Sequence, residues 1–499
     1  MSLNTFFQTA PLFRVFIMLM TGVLSGEFIF NNLSSVIALS TLSSTLLISL
    51  FTRKSGIVQS ISLLFAIFLT GICLYRYSVE SISIARPGYY DYNAVVISSV
   101  KQNKGFSSFD IIKTDKHGEH KIKATIKGYT NLYPGDLLHV HSKINPPRDK
   151  SKKRFSYAEY LIRNGYYGTT FLNRHEIDFL GNNYESLSSW MRLRVFILQI
   201  RSSLLSKLND NGLKGRDFAT VSAMAFGEKT YLSSNDKDIY SRTGVSHVLA
   251  LSGLHIGIIY TFLTFFMTFI HKKTRFVLIQ AAVWFYVVFA GMSPSLIRAA
   301  LMISVYSLGT LMHRDKISLN SLSFAGCLSV ILSPQIIFDL CFQLSFISVF
   351  SIMLFYRPIT EILPSHPSII KKIMQMTAVS LAAYIGTMPI ILHNFGSISL
   401  CFIITNLFVI PLTTAVIYLA ILSFVPFVGT YLIYALIAVV HLLNTIINAM
   451  SNLSFANIDN LYISILNTIL IYVVIITLYI LFCITNYKKI DLSNVKIIK

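Results

Sequence analysis

Long apolar runs, separated by short clusters of basic residues, dominate the pattern of hydrophobic and polar positions along this chain. A run of about 20 apolar residues is long enough to cross a bilayer as a helix, and the pattern predicts a polytopic α-helical membrane protein with about twelve spans. We expect the span at 397–426 to cross once, as a helix broken near Pro411. The predicted spans lie at residues 11–31, 33–52, 56–76, 245–270, 276–294, 296–313, 318–333, 338–356, 373–393, 397–426, 430–453 and 462–486.

The pattern changes between residues 80 and 240, where short β-like runs end at turn-forming residues. Residues 122–126 alternate between apolar and polar side chains, as a half-buried strand does. This predicts a small barrel-like β-domain, followed by a basic amphipathic helix that lies in the membrane interface. The predicted regions are N-terminal transmembrane helices at 1–79, the β-domain at 80–185, amphipathic and linker helices at 186–240, a second transmembrane block at 241–487 and a short basic tail at 488–499.

Basic residues between the apolar runs predict the orientation in the membrane. Arg14, Arg53 and Lys54 would face the cytoplasm under the positive-inside rule, as would the cluster at 271–275. The N-terminus is then cytoplasmic and residues 77–240 lie outside, so we expect a multi-pass protein of the cytoplasmic membrane.

The net charge of the chain indicates a class of ligand. The 499 residues carry a formal net charge of +20, although only 13% of them are charged. The positive-inside bias explains part of this excess, and binding of a polyanion explains the rest. The five cysteines lie in apolar stretches, and the sequence contains no clear metal-ligand spacing, so we expect neither a disulfide framework nor a cofactor.

Basic and aromatic residues are interleaved in the predicted β-domain. A basic groove with aromatic platforms is how proteins hold single-stranded nucleic acid without sequence preference. The alternative is a solvated basic surface that faces lipid headgroups. The candidate DNA-binding residues are Lys121, Lys123, Lys127, Tyr129, Tyr133, Lys152, Lys153 and Arg154.

Residues 243–257 mark the start of the second transmembrane block. His247 and His255 are eight residues apart, so both lie near one face if the segment is helical. Ser252 and Gly253 interrupt the apolar run between them. Polar groups at membrane depth favour a cavity, because hydrocarbon leaves them unsatisfied, whereas the alternative is a helix start with histidines at the interface.

Other polar residues fall within the predicted spans. Arg298 follows a junction broken by proline, and Asp339 and Gln343 are four residues apart, which places them on one helix face. Ionisable groups at this depth predict a function, although Arg298 and Asp339 could instead form a structural ion pair. The candidate channel-lining residues are His247, Ser252, His255, Arg298, Asp339, Gln343 and Asn406.

The stretch Ser-His-Val-Leu-Ala-Leu-Ser-Gly-Leu-His at 246–255 closely resembles the signature of the ComEC competence-protein family. Further stretches agree in order at 226–233, 293–299, 333–346 and 388–412. Residues 132–136, 146–147 and 155–165 resemble the family's OB-like domain and the segment that leaves it. The resemblance covers nearly the whole chain.

The resemblance implies a DNA-uptake channel that passes one strand across the cytoplasmic membrane during natural transformation. Its expected partners are single-stranded DNA, membrane lipids, a DNA receptor outside and a cytoplasmic ATP-driven translocase or single-strand-binding protein. A further candidate partner is a second copy of the chain, in a homo-oligomer. Many members carry a C-terminal metallo-β-lactamase-like domain, but no His-x-His-x-Asp-His run occurs in this sequence, so we expect no enzymatic activity.

Two other functional classes stay open at the level of the sequence. A small-solute transporter would explain the polar residues within the spans, but not the basic, aromatic β-domain. A membrane-embedded enzyme acting on a lipid-linked substrate could use His255 and His393 as acid–base groups. Neither alternative requires the β-domain to bind DNA.

Overall fold

The computed structural model describes residues 10–29, 35–51, 56–103, 105–115, 118–149, 156–312, 319–362, 368–453 and 456–495. The strands are β1 (Gly88–Val96), β2 (Lys101–Asn103), β3 (Phe106–Asp115), β4 (Gly118–Lys127), β5 (Asp136–Asn145), β6 (Tyr166–Leu172), β7 (Ile177–Asn182), β8 (Ile398–Ser399) and β9 (Asn457–Ile458). The helices are α1 (Pro11–Phe28), α2 (Ser35–Phe51), α3 (Gly56–Glu80), α4 (Tyr157–Arg163), α5 (Ser189–Asp210), α6 (Gly215–Phe226), α7 (Ser234–Arg242), α8 (Ser246–Leu249), α9 (Gly253–Phe266), α10 (Lys272–Phe289), α11 (Pro294–Leu311), α12 (Leu319–Leu332), α13 (Leu340–Ile362), α14 (Ser368–Phe395), α15 (Phe402–Leu422), α16 (Gly429–Ser451) and α17 (Ile465–Val495).

Among the described residues, eight helices are long and apolar enough to cross a membrane, namely α1, α3, α11, α13, α14, α15, α16 and α17. This confirms a polytopic α-helical architecture, whereas the predicted number of about twelve spans is not confirmed. The apolar helices α9 and α12 have 14 residues each. At 1.5 Å per residue such a helix extends for only about 21 Å, which is less than the hydrocarbon thickness of about 30 Å.

Two of the predicted spans differ in shape from the expectation. The run predicted at 245–270 is not one helix, because the chain leaves helical geometry at 250–252, between α8 and α9. The predicted break near Pro411 is wrong, since α15 continues through this residue. A proline removes one helical hydrogen bond, but transmembrane helices tolerate that loss where neighbouring groups satisfy the freed carbonyl.

The β-domain is a closed five-stranded barrel. The ring follows the order β1-β3-β4-β6-β5 and closes through the pairing of β5 with β1. All pairs in the ring are antiparallel except β4 with β6, which is parallel. Strands β2 and β7 extend the sheet beside β3 and β5. The barrel interior is an apolar cluster that includes Phe109, Ile122, Leu138 and Ile144. The predicted barrel is therefore confirmed.

By its internal contacts the chain divides into two units. One contains residues 1–237, 247–343 and 411–444, and so includes the barrel and helices α1, α3, α5, α6, α9, α10 and α11. The other contains residues 238–246, 344–410 and 445–499. In the second unit α17 packs on α14, where the hydroxyl of Tyr472 donates to the carbonyl of Gly386 at 2.7 Å. The predicted domain boundaries stay a prediction.

Helices α1 and α3 approach each other closely at two glycines. A Cβ added to Gly71 would lie 2.5 Å from the carbonyl oxygen of Leu19, and one added to Gly22 would lie 2.0 Å from that of Phe68. Small residues let helix backbones meet in a membrane, where dispersion contacts replace the hydrophobic effect as the main source of association. The two glycines therefore hold this pair of helices together.

We predict that Gly71→Ala lowers the stability of the protein by about 1–3 kcal/mol, because the added methyl group forces the two backbones apart. Gly56→Ala is the matched control, since a Cβ at this position in the same helix meets no atom within 4 Å. Thermal unfolding of both variants in detergent should show a lower transition temperature for Gly71→Ala alone. Equal transition temperatures would contradict the close packing of α1 on α3.

Candidate functional site

The break at 250–252 positions His255 at the beginning of α9. Ser252 is the N-cap of this helix, and its backbone N–H donates to Nδ1 of His255 at 3.2 Å. Because Nδ1 accepts this hydrogen bond, the proton of the neutral ring lies on Nε2. The His255 side chain is 0% exposed. Within the described part of the chain, Nε2 has no hydrogen-bond partner of good geometry. The ring does interact with the backbone of Val248. His247 precedes the break, in α8, so the two histidines do not lie on one continuous helix face.

Arg298 lies in the second turn of α11 and is 1% exposed. Its Nη2 donates to the carbonyl oxygen of Cys341 at 2.7 Å, and its guanidinium lies 5.4 Å from the ring centre of Phe342. The alternative of a direct ion pair with Asp339 is wrong, because no nitrogen of Arg298 lies within salt-bridge distance of that carboxylate among the described residues. Arg298 instead holds the first turn of α13 through a backbone carbonyl.

Asp339 and Gln343 are not neighbours on a helix face, because α13 begins at Leu340. Asp339 precedes the helix, and its Oδ1 accepts the backbone N–H of Cys341 at 2.7 Å. A carboxylate in this position satisfies a free N–H group and interacts favourably with the positive end of the helix. Gln343 donates through Nε2 to the carbonyl oxygen of Ile337 at 3.0 Å and so fixes the turn before the helix.

The first unit brings these side chains together. Gly253 approaches α11, where a Cβ would lie 3.6 Å from the Cβ of Ala299. Gly227 packs on the break before α9, since a Cβ there would lie 2.7 Å from Leu251 and 2.4 Å from the carbonyl oxygen of Ala290. The unit thus contains six of the seven predicted lining residues, namely His247, Ser252, His255, Arg298, Asp339 and Gln343.

Asn406 belongs to the second unit, where it lies in α15. Its Nδ2 donates to the hydroxyl of Ser380 in α14 at a long 3.4 Å, and its Oδ1 has no hydrogen-bond partner among the described residues. It is 8% exposed. Asn406 is thus a buried polar group of α15 that contacts α14. Its role in lining a path stays a prediction.

Sequence reasoning missed three polar groups at the site in the first unit. Lys229 lies in the loop after α6, and its ammonium interacts electrostatically with the thiol of Cys341. Ser293 is the N-cap of α11 and has a buried Oγ without a hydrogen-bond partner in the described chain. All three residues, Lys229, Ser293 and Cys341, lie in stretches that carry the family resemblance, which was the available signal.

The predicted DNA-binding lysines share the outer face of β4. Ile122, Ala124 and Ile126 point into the barrel, so the alternating residues Lys121, Lys123 and Lys127 point outward. Lys123 Nζ lies 2.9 Å from the carboxylate of Asp110, and Lys121 Nζ lies 3.8 Å from the ring centre of Tyr166. Burial lowers the pKa of Lys121 to about 8, although the charge of Asp110 acts in the opposite direction. Lys127 is exposed.

Exposed aromatic side chains occur on the strands beside this face and in the loop that follows β4. Tyr129 and Tyr133 are exposed in the loop between β4 and β5. Phe106 and Phe171 are 41% and 51% exposed, and their ring centres lie 5.9 Å apart in an edge-to-face arrangement. Strand β4 lies between them, because Phe106 pairs with Lys127 and Phe171 pairs with Thr125. Sequence reasoning missed this pair, and the predicted residues Lys152, Lys153 and Arg154 lie outside the described residues.

Helix α4 connects the barrel to the polar site in the membrane block. The guanidinium of Arg163 lies 4.7 Å from the ring centre of Phe338, immediately before Asp339. Tyr157 and Tyr160 are exposed and stacked, with ring centres 6.1 Å apart. Burial and then the nearby carboxylate of Asp339 raise the pKa of Tyr160. The stacked tyrosines thus lie near the first turn of α13.

A buried ion pair provides a second connection. Arg201 of α5 donates through Nη2 to Glu228 at 2.5 Å, and both side chains are less than a tenth exposed. The hydroxyl of Ser99, in the loop after β1, also donates to this carboxylate. Burial lowers the pKa of Arg201, while the charge of Glu228 opposes that shift. The ion pair therefore joins the barrel, α5 and the loop that carries Lys229.

Comparison with known proteins decides the family. The family described as Competence protein matches residues 224–484, which is more than half of the chain and includes the break before α9, Arg298 and Asn406. The chain belongs to the Competence protein family. This confirms the resemblance drawn from the motifs, and it agrees with the apolar helices in placing the chain among multi-pass membrane proteins.

Two curated relatives of this Competence-family protein match only in part. ComE operon protein 3 of Bacillus subtilis (strain 168) is 28% identical over 347 residues, which cover 67% of this chain and 42% of that protein. An uncharacterized protein of Aquifex aeolicus (strain VF5) is 31% identical over 194 residues, which cover 38% of this chain and 44% of that protein. The matches therefore span less than half of either relative. No solved structure matches the chain.

Within the described residues, no three His, Cys, Asp or Glu side chains are grouped so that they could hold a metal ion. The site combines the cationic side chains Arg298 and Lys229 with helix N-termini and with amide and hydroxyl groups. These groups can bind and orient an anion.

We predict that acetylation of Lys121 reaches half of its maximal rate near pH 8, because only the neutral amine reacts and burial favours that form. Asp110→Asn should move this midpoint to lower pH, since the carboxylate stabilises the ammonium. Arg194→Gln should move it to higher pH, because the charge of Arg194 lowers the same pKa. Peptide mass spectrometry after timed labelling measures each rate. A wild-type midpoint near the ordinary lysine value would contradict the packing around Lys121.

Proposed function

We propose that this protein takes up DNA by passing a single strand across the cytoplasmic membrane. The observation that carries the proposal is that a basic, aromatic barrel and a buried cationic site in the membrane block belong to one unit, joined through α4. The outer barrel face would hold the strand by its phosphates and bases, and the polar ends of the helices would accept it next. The strand order agrees with an OB-like barrel, an architecture whose β-face and loops suit oligonucleotides.

The barrel face supports a single strand as the ligand because it combines three kinds of group. Lys127 supplies positive charge beside the Lys123–Asp110 ion pair, Thr125 supplies a hydroxyl, and Phe106 with Phe171 supplies aromatic surface. Unpaired bases expose faces that stack on such rings, whereas the bases of a duplex do not. A small-solute transporter or an enzyme of lipid-linked substrates would require no such surface.

The remaining roles follow from this proposal. The six predicted lining residues of the first unit would border the path of the strand, and a lining role for Asn406 stays a prediction. The protein would act without catalysing a reaction, and its cargo would be supplied by a DNA receptor outside and withdrawn by a cytoplasmic ATP-driven translocase or single-strand-binding protein. Further apolar helices would complete about twelve crossings, with the N-terminus in the cytoplasm.

We predict that the full-length protein in lipid nanodiscs binds labelled oligothymidylate, and that Phe106→Ala with Phe171→Ala weakens this binding by about 1–3 kcal/mol for each ring that stacks on a base. Fluorescence anisotropy at several salt concentrations measures the affinity, which should fall steeply with salt as counterions are released. Tyr89→Ala is the matched control, because this ring is 71% exposed on β1. Absence of binding at low salt, or equal losses in both variants, would refute the proposed role of the barrel.

We predict that the barrel faces away from the cytoplasm. Thr114 is exposed on β3, so Thr114→Cys in a background without other cysteines should react with a membrane-impermeant maleimide in intact spheroplasts. Its control is Ser107→Cys, which should stay unreactive while the barrel is folded because Ser107 is 0% exposed. Labelling of Thr114→Cys only after lysis would place the barrel in the cytoplasm and refute uptake in the proposed direction.

A further inference from the structure

The guanidinium of Arg298 has hydrogen-bonding capacity that the described protein does not use. Only Nη2 has a partner, the carbonyl oxygen of Cys341, whereas Nε and Nη1 have none among the described residues. The side chain is nevertheless 1% exposed. Unpaired donors on a buried charge are destabilising, so their presence here indicates a site in which another group meets them.

Three helices begin around this guanidinium. The first turn of α9 lies against α11 at Ala299, next to Arg298 in the sequence. The first turn of α13 contains the carbonyl that Arg298 contacts. Helix α11 itself begins at Pro294, one turn before Arg298, and its N-cap Ser293 has a buried Oγ without a partner in the described chain. Each helix has at least 14 residues, so each N-terminus carries a positive partial charge.

The charged side chains near the site favour an anion. Lys229 is exposed in the loop that packs on the break before α9, and it acts electrostatically on His255 and on Cys341. Two carboxylates lie near the site and both are engaged: Asp339 accepts the N–H group of Cys341, and Glu228 is paired with Arg201. Arg298 and Lys229 together therefore exceed the negative charge of Asp339.

We infer that Arg298, Ser293, Lys229 and the three helix N-termini form a binding site for one phosphodiester group of the DNA strand. A phosphodiester has one negative charge and two free oxygens, which match the paired donors of a guanidinium and the N–H groups of helix ends. The inference rests on the proposed function for its ligand. Phospholipid headgroups contain the same phosphodiester chemistry, so the test must separate the two sources.

Cys341 reports on this site because it is an exposed free thiol whose carbonyl contacts Arg298. The experiment uses the full chain in phosphatidylcholine nanodiscs, with Cys73, Cys327, Cys401 and Cys483 replaced by serine. The probe is an oligothymidylate that carries a bromoacetamido group on one base, so that every backbone phosphodiester keeps its charge. We expect it to alkylate Cys341, and Arg298→Gln to slow this reaction by about tenfold, as expected for losing one charged hydrogen-bonding partner.

Three further variants sharpen the comparison. Arg357→Gln removes the same charge from an exposed position in α13, where Arg357 pairs with Glu361, and it should leave the rate unchanged. Arg298→Lys keeps the charge but loses the planar fork, so an intermediate rate is expected. If Arg298→Gln does not fold, as judged by size-exclusion chromatography, Ser293→Ala removes a single hydroxyl and should still slow alkylation by about threefold.

The outcomes separate this inference from the proposed function. If oligothymidylate binds to the protein with normal affinity but alkylates Cys341 equally fast in the wild type and in the Arg298 and Ser293 variants, the phosphodiester site is refuted and the barrel proposal stands. If no oligonucleotide binds at all, the proposed function fails and the site loses its ligand. If phosphatidylglycerol in the disc blocks alkylation and an excess of unlabelled oligothymidylate does not, the occupant is a lipid headgroup and the assignment to DNA is wrong.

Discussion

A polar group among apolar helices must find its partners within the protein, because hydrocarbon offers none. This constraint explains the arrangement around the start of α13. Asp339 satisfies the backbone N–H group of Cys341 instead of pairing with Arg298, and Arg298 satisfies the backbone carbonyl of the same residue, Cys341. His255 closes the beginning of its own helix in the same way, by accepting the N–H group of Ser252. Asp339 and His255 thus belong to the candidate site and also satisfy N–H groups at the beginnings of α13 and α9.

The amino-acid sequence contained enough information for the barrel and for most long helices, because both depend on local periodicity. The alternation at 122–126 is a property of one strand, and it correctly placed Ile122 inside the barrel and Lys121 and Lys123 outside. The pair Phe106 and Phe171 could not be found in this way. These rings meet because β4 pairs with β3 on one side and in parallel with β6 on the other, and such pairing depends on the whole ring.

For the membrane block, the sequence indicated candidate residues, whose role stays a prediction, but not their geometry. Motif resemblance pointed to Ser252, His255, Arg298 and Asp339. All four residues lie in the first unit. Spacing alone suggested a helix face shared by Asp339 and Gln343, but a helix start between them separates their roles. The histidines were expected on one face for the same reason, and the break at 250–252 divides them. In both pairs a helix begins between the two residues, so helical spacing does not relate them. Where a helix begins depends on tertiary packing, which local periodicity does not report.

The buried ion pair of Arg201 and Glu228 has a consequence for how such proteins can be recombined. Its three participants come from segments far apart in sequence, since Ser99 follows the first barrel strand, Arg201 lies in α5 and Glu228 follows α6. A barrel transplanted from a relative would arrive without its hydroxyl partner unless the donor has one at the same place, and a lone change at either charge would leave the other stranded in a dry environment. Exchange of the barrel between such proteins should therefore preserve stability best when the residues at all three positions are exchanged together.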